Sequence, residues 1–134
     1  MNVALFLTPK SEVQCVSARV TVRQAADHLE RHGYTAVPIL DDEQRYVGTL
    51  TEGDLLRAIR ADPSVDVEST RVSRVPRRLE NRAVDVTAEI AELVQLAVHQ
   101  NFVPVVDSRG VLMGIVTRRS ILTWLRSQAG LGGG

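Results

Sequence analysis

The sequence predicts an α+β fold in which two tandem β-α-β-β-α repeats pack sheet to sheet about a pseudo-twofold axis. Three observations predict it. The segment Val37 to Arg60, moved forward by 66 positions, falls on Val103 to Arg126 without a gap, and self-similarity at a fixed period is the signature of a repeated structural unit. Identities fall at Val37/Val103, Pro38/Pro104, Asp41/Asp107, Gly48/Gly114, Thr51/Thr117, Leu56/Leu122 and Arg60/Arg126, and most other pairs exchange one apolar residue for another. Each copy also alternates short β-rich runs with stretches of helical periodicity. Finally, a unit of about 60 residues leaves one sheet face uncovered, so each copy needs a second to bury it.

The elements follow in order. A strand around Val13 to Val16 leads to a helix starting near Thr21, where Thr21 and Gln24 form a capping box. Val22, Ala25, Ala26 and Leu29 make the apolar stripe of that helix, and Gly33 ends it. Two β-rich runs follow, Ala36 to Leu40 and Tyr46 to Leu50, with the turn formers Asp41 and Asp42 between them. The next helix starts at Thr51 and carries Leu55, Leu56 and Ile59. The second copy repeats the series: a strand over Ala83 to Val86, a helix from Thr87 to His99, strands Phe102 to Val106 and Val111 to Val116, and a helix from Thr117 to about Ser127. Upstream of the gap-free block a one-residue offset pairs Leu29 with Leu96. The expected division is a first repeat over 1–62, a connector over 63–70, a second repeat over 71–128 and a flexible glycine-rich tail over 129–134.

Composition narrows the function. Of the 134 residues 44% are hydrophobic and 24% charged, which excludes wholesale disorder. Sixteen basic and sixteen acidic residues cancel, so charge gives no reason to expect nucleic acid as a partner. Aromatic residues amount to 4%, too few for a platform that stacks bases. No apolar run approaches the roughly 18 to 20 residues that span a bilayer, and Met1 to Lys10 does not read as a secretory signal. The single cysteine, Cys15, excludes an internal disulfide and suits a cytoplasmic location.

Enzyme signatures are missing. In His28-Leu29-Glu30-Arg31-His32 the glutamate stands two residues after the first histidine, off the face that the two histidines share. The arrangement therefore differs from a zinc-protease helix, and solvated surface histidines are the plain reading. No dinucleotide fingerprint, phosphate-binding Walker loop or nucleophile elbow is present. Cys15 lies on an apolar strand without a patterned base and reads as an inert thiol.

The strand-to-helix junction Gly48-Thr49-Leu50-Thr51-Glu52-Gly53-Asp54 is where a ligand could bind. Glycine permits close approach, and Thr51 stands at a helix mouth whose N–H groups attract anions. Asp54, one turn on, could accept hydrogen bonds from two adjacent hydroxyls such as those of a ribose. Thr-x-x-Asp is equally a helix capping box that needs no ligand. The residues alone leave both readings open.

At this point the sequence resembles a known family. The tandem organisation, the strands "YTAVPILD" and "NFVPVVD" and the junctions "GTLTEGD" and "GIVTRRS" look like a CBS-domain pair, or Bateman module, over nearly the whole chain. The resemblance implies a regulatory module whose clefts take adenosine compounds, from AMP, ADP and ATP to cyclic di-AMP, with no cofactor required. It implies Thr51 on a phosphate, Asp54 on the ribose diol, and Thr35, Ala36 and Pro38 along the base pocket. It also implies a homodimer built on the helices at Thr51 and Thr117, and an unidentified regulated protein that reads the occupancy.

The second copy departs from the pattern. Ser120 stands where the first copy has Asp54, and a neutral hydroxyl cannot engage a diol as a carboxylate does. Arg118 and Arg119 beside Thr117 instead put two cations at a helix mouth, against the dipole, and their functional reading is a second phosphate clamp. Arg71, Arg74, Arg77, Arg78 and Arg82 crowd the stretch that follows the connector, where solvated positions are the default and one or two could reach a cleft phosphate. The competing account is a ligand-free scaffold that dimerises through its helix faces.

Overall fold

A computed structural model describes residues 3–78 and 80–133. The chain forms two compact units, one spanning Gln14–Glu80 and the other made of the chain before and after it. These spatial units differ from the sequence division at 62 and 70. The reason lies in two short apolar segments ahead of the repeats, described with each unit below.

In the Gln14–Glu80 unit, strand β2 (Val16–Ser17) is followed by helix α1 (Val22–His32), strands β3 (Ala36–Leu40) and β4 (Tyr46–Thr51) and helix α2 (Glu52–Ala61). The sheet order is β2-β3-β4, with β2 parallel to β3 and β3 antiparallel to β4. The expected capping box forms in full: Gln24 N–H donates to Thr21 Oγ1 at 3.1 Å, and Thr21 N–H donates to Gln24 Oε1 at 2.9 Å. Gly33 ends α1 in the left-handed conformation (φ 66°), as its position predicts. Val22, Ala25 and Leu29 from α1 meet Val37, Ile39 and Leu50 from the sheet and Leu55 from α2. Val72 and Val75, beyond the helix and around a short 3-10 turn, complete this core. Each of the valine, leucine and isoleucine side chains contributes about 1.5–3 kcal/mol when fully buried.

In the other unit, strand β5 (Val84–Asp85), helix α3 (Ile90–Ala97), strands β6 (Phe102–Val106) and β7 (Leu112–Thr117) and helix α4 (Arg118–Gly133) repeat the series. A strand with no counterpart in the sequence reading, β1 (Thr8–Pro9), pairs antiparallel with β7, giving the sheet order β1-β7-β6-β5. Val3 and Phe6, on a 3-10 turn ahead of β1, join Leu93, Val103, Val105, Val116 and Ile121 in the core.

The gap-free block is reproduced in detail. β3 and β6, β4 and β7, and the first residues of α2 and α4 all stand 66 positions apart, and both hairpins shift register at the equivalent place, Ile39/Leu40 and Val105/Val106. Both turns are also built alike: Asp41 Oδ1 accepts from the N–H groups of Glu43 and Arg45, and Asp107 Oδ1 from those of Arg109 and Val111. Upstream, the expected pairing of Leu29 with Leu96 gives way to Leu29 with Ala97, because Ala25 and Leu29 occupy the buried positions that Leu93 and Ala97 hold in the second copy.

Several boundaries differ from expectation: the first strand, expected over Val13 to Val16, is Val16–Ser17, and α3 ends at Ala97 rather than His99. Helix α3 starts at Ile90 rather than Thr87, because Thr87 turns its N–H and hydroxyl onto Asp85 Oδ1 at 2.9 and 2.8 Å. Helix α4 continues to Gly133, past the end expected near Ser127 and through the segment expected as a flexible tail; Gly134 lies outside the described residues. Propagating an existing helix adds one hydrogen bond per residue fixed, and glycine weakens that gain without removing the N–H as proline would.

Candidate functional site

The junction of β4 and α2 is held by a network of internal hydrogen bonds. Thr51 caps α2: its Oγ1 accepts from Asp54 N–H at 3.1 Å, and Asp54 Oδ2 accepts from Thr51 N–H at 3.0 Å. The capping reading is therefore realised, and it fixes the two residues named as ligand contacts. Thr35, Ala36 and Pro38 are brought to the same junction by the hairpin register. Ala36 pairs with Thr51 and Pro38 with Thr49, and the Thr35 carbonyl accepts from Glu52 N–H at 3.0 Å.

Asp54 does more than cap. Its side chain is 2% exposed, and its second oxygen accepts from Arg57 Nη2 at 2.6 Å and from Arg78 N–H at 3.1 Å. Burial on its own would raise this carboxyl. The bonds from the Thr51 and Arg78 backbones, from the Thr51 side chain and from Arg57 outweigh it and hold the group below the usual carboxylate range. Asp54 is thus an ionised acceptor at the start of a helix, where the dipole also favours a negative charge.

Three arginines at this junction went unassigned in the sequence. Arg57 reaches back over Gly53, where a Cβ would lie 3.0 Å from its Nη1, to meet Asp54. Arg77 fills the space left by the absent side chain of Gly48, with its Nε 2.5 Å from the position of a Cβ, and donates to the Val47 carbonyl. Arg78 supplies only its backbone N–H to Asp54. The Asp-x-x-Arg spacing at Asp54 and Arg57 was a legible signal, since residues three apart are neighbours on a helix. The crowding of arginines just after the connector hinted at the other two without saying which would reach the junction.

The equivalent junction in the other unit has a hydroxyl in place of the carboxylate. Thr117 and Ser120 hydroxyls lie 2.8 Å apart, and Ser120 N–H donates to Thr117 Oγ1 at 3.0 Å. The two arginines expected to act together are separated. Arg118 donates through Nε to the Ala97 carbonyl at 2.8 Å and borders an apolar groove with Val94, Val98, Leu122 and Leu125. Arg119 lines a different cavity, of about 550 Å³, together with Thr117 and Ser120. Where Arg77 crosses Gly48, strand β1 crosses Gly114, so that a Cβ there would collide with the Thr8 carbonyl oxygen.

Among the described residues no helix is long and apolar enough to cross a membrane. The family model described as CBS domain matches residues 6–61 and 69–127. A hypothetical conserved protein from Geobacillus kaustophilus shares 29% identity and superposes with a TM-score of 0.84, over 96% of this chain and 98% of that one. A CBS domain protein from Streptococcus pneumoniae TIGR4 shares 27% identity with a TM-score of 0.82, over 92% and 86% of the two chains. CbpB, solved in complex with c-di-AMP, is 23% identical with a TM-score of 0.84, over 95% and 85% of the chains, a likeness of fold. The chain spans 66% and 62% of the length of two curated relatives that it matches.

Proposed function

Because this chain belongs to the CBS domain family and carries two copies of that domain, we propose that it is a non-enzymatic regulatory module that binds an adenine nucleotide at the β4–α2 junction and signals occupancy to a partner protein in the cytoplasm. Asp54 carries this reading. A carboxylate that is 2% exposed and held ionised is poised to accept bonds from a ribose diol. Its Arg57 bond is the replaceable one, since the Arg57 side chain is 44% exposed and can swing away, whereas the Thr51 and Arg78 donors are backbone. Once released, Arg57 lies near the helix mouth, where Thr51 and the first N–H groups of α2 suit a phosphate. On this reading the base lies against Thr35, Ala36 and Pro38, which the hairpin brings to the junction.

Chemistry and fold agree here: CbpB, which has the same fold, is solved with an adenine dinucleotide. The test is a melting series of the purified protein with adenosine, AMP, ADP, ATP and cyclic di-AMP. A ligand that binds the native state raises the melting temperature with its concentration. The reading expects at least one of them to do so in the parent and far less in Asp54→Asn, and it fails if none shifts the parent.

One observation favours an accompanying role as a dimer. Leu56 (69% exposed), Ile59, Leu122 (58%) and Leu125 leave apolar area uncovered on α2 and on α4. A second copy of the chain would cover these faces, and a ligand-free scaffold would need nothing more.

A further inference from the structure

We propose that the cavity between the end of α2 and the 3-10 turn at Val72–Arg74 is a binding site for a sugar phosphate, separate from the β4–α2 junction. It has a volume of about 800 Å³ and is lined by residues between Asp62 and Arg74. That volume lies within the roughly 300–1,000 Å³ of small-molecule sites. No residue of the junction site lines it. Helix α2 has 10 residues and a helix rises about 1.5 Å per residue, so about 15 Å of helix separates Thr51 from Asp62.

Two cations stand together here without a counterion. Arg71 precedes the 3-10 turn and Arg74 ends it, and residues three apart eclipse one another on such a turn. The turn is anchored by Val72, a core residue whose N–H donates to the Val20 carbonyl at 2.9 Å. Neither guanidinium makes an ion pair or a side-chain hydrogen bond among the described residues. Like charges held at that spacing repel each other, and an anion bound between them removes the repulsion. Ser69, Thr70 and Ser73 add three hydroxyls to the lining, each with a proton to give to a phosphate oxygen. Of the arginines crowded after the connector, Arg77 and Arg78 go to the junction, whereas Arg71 and Arg74 line this cavity.

Asp62, the one carboxylate of the lining, decides what the phosphate is attached to. Its Oδ1 accepts from the hydroxyl and the N–H of Ser64, and these bonds hold the carboxyl below its usual range. Its Oδ2 is left to accept from a ligand hydroxyl. A carboxylate repels the phosphate itself but suits the hydroxyls of a sugar. Val65 is the only aliphatic side chain of the lining, so a bare hydrocarbon body finds little surface here. The wall is also formed in advance: Arg23 N–H donates to the Val67 carbonyl at 2.9 Å and Val22 N–H to the Thr70 carbonyl at 2.8 Å. A phosphate on Arg71 and Arg74 with a hydroxyl-bearing body on Asp62 is therefore the ligand that the cavity fits.

The experiment is a calorimetric titration of the full chain with glucose 6-phosphate, inorganic phosphate and glucose. Saturable heat is expected with glucose 6-phosphate, with weaker binding of inorganic phosphate and of glucose. Arg71→Gln and Arg74→Gln, at unchanged melting temperatures, should each weaken glucose 6-phosphate by about tenfold or more, the loss expected for one charged hydrogen bond. Arg109→Gln removes the same charge from an exposed turn of the other unit and should leave the affinity within about twofold. No saturable binding of glucose 6-phosphate, or an affinity no greater than that for inorganic phosphate, would overturn the proposal. So would an equal loss in Arg109→Gln, or binding that survives both Arg71→Gln and Arg74→Gln. Because no adenine compound is used and Asp54 stays in place, these outcomes are independent of whether the junction holds a nucleotide.

Discussion

The guanidinium of Arg57 meets the carboxylate of Asp54 at 2.6 Å, joining a side chain that is 44% exposed to one that is 2% exposed. The pair fixes the acceptor at the mouth of α2 while leaving one of its bonds exchangeable. On the proposed reading, in which Arg57 gives way, capping and ligand binding, which compete as readings of Thr-x-x-Asp in the sequence, are compatible.

Asp54 should leave a signature in the pH dependence of stability. Its folded-state pKa lies below the unfolded value, so the stabilisation it provides is present above the ordinary aspartate range, near pH 4, and is lost as pH falls through the folded pKa. Asp54→Asn should therefore be less stable than the parent at neutral pH, with the difference shrinking on acidification. Asp41, Asp62, Asp85 and Asp107 are lowered as well, and their contribution cancels in the comparison of the two proteins. Melting curves of both between neutral pH and about pH 2 would read this out. A difference that stays constant would contradict it.

Gly114 and strand β1 make a second test. A methyl group at Gly114 would run into the Thr8 carbonyl, a backbone atom, and into the Leu7 side chain. Gly114→Ala should cost about 1–3 kcal/mol as β1 is pushed from β7. Denaturant unfolding would measure it, and unchanged stability would show that β1 does not hold this edge.

The repeat was legible in the sequence from Val37 to Arg60 because proline, glycine and the turn aspartates each answer a specific backbone demand. Asp41 and Asp107 accept from their turns in the same way, and the two glycines admit Arg77 and β1. Thr51 and Asp54 were legible for the same reason, as a cap has a fixed spacing. The segments ahead of the repeats were not, since a two-residue strand and a 3-10 turn are too short to show a period. A faint trace exists: Val3 and Phe6 stand 69 positions before Val72 and Val75, and both pairs are core residues. The parting of Arg118 and Arg119 was invisible for another reason. Neighbouring residues on a helix point about 100° apart, and the carbonyl of Ala97, distant in sequence, holds the first one.

The uncovered helix faces predict self-association. Sedimentation at micromolar concentration should give the mass of two chains, and Leu122→Glu, at a position 58% exposed, should give the mass of one without unfolding the protein. A parent that sediments as a single chain would remove the dimer from this account.

Calorimetric titration of the parent and Asp54→Asn with the adenine nucleotide that shifts melting most is the most direct test of the proposed function. The account predicts one saturable event in the parent, weakened about ten- to a hundredfold in Asp54→Asn, equivalent to about 1.5–3 kcal/mol for a charge-assisted pair of bonds. Ser120→Ala, in the copy without a carboxylate, should change that event far less. Equal affinity in the parent and Asp54→Asn would leave Asp54 as a helix cap and contradict the site.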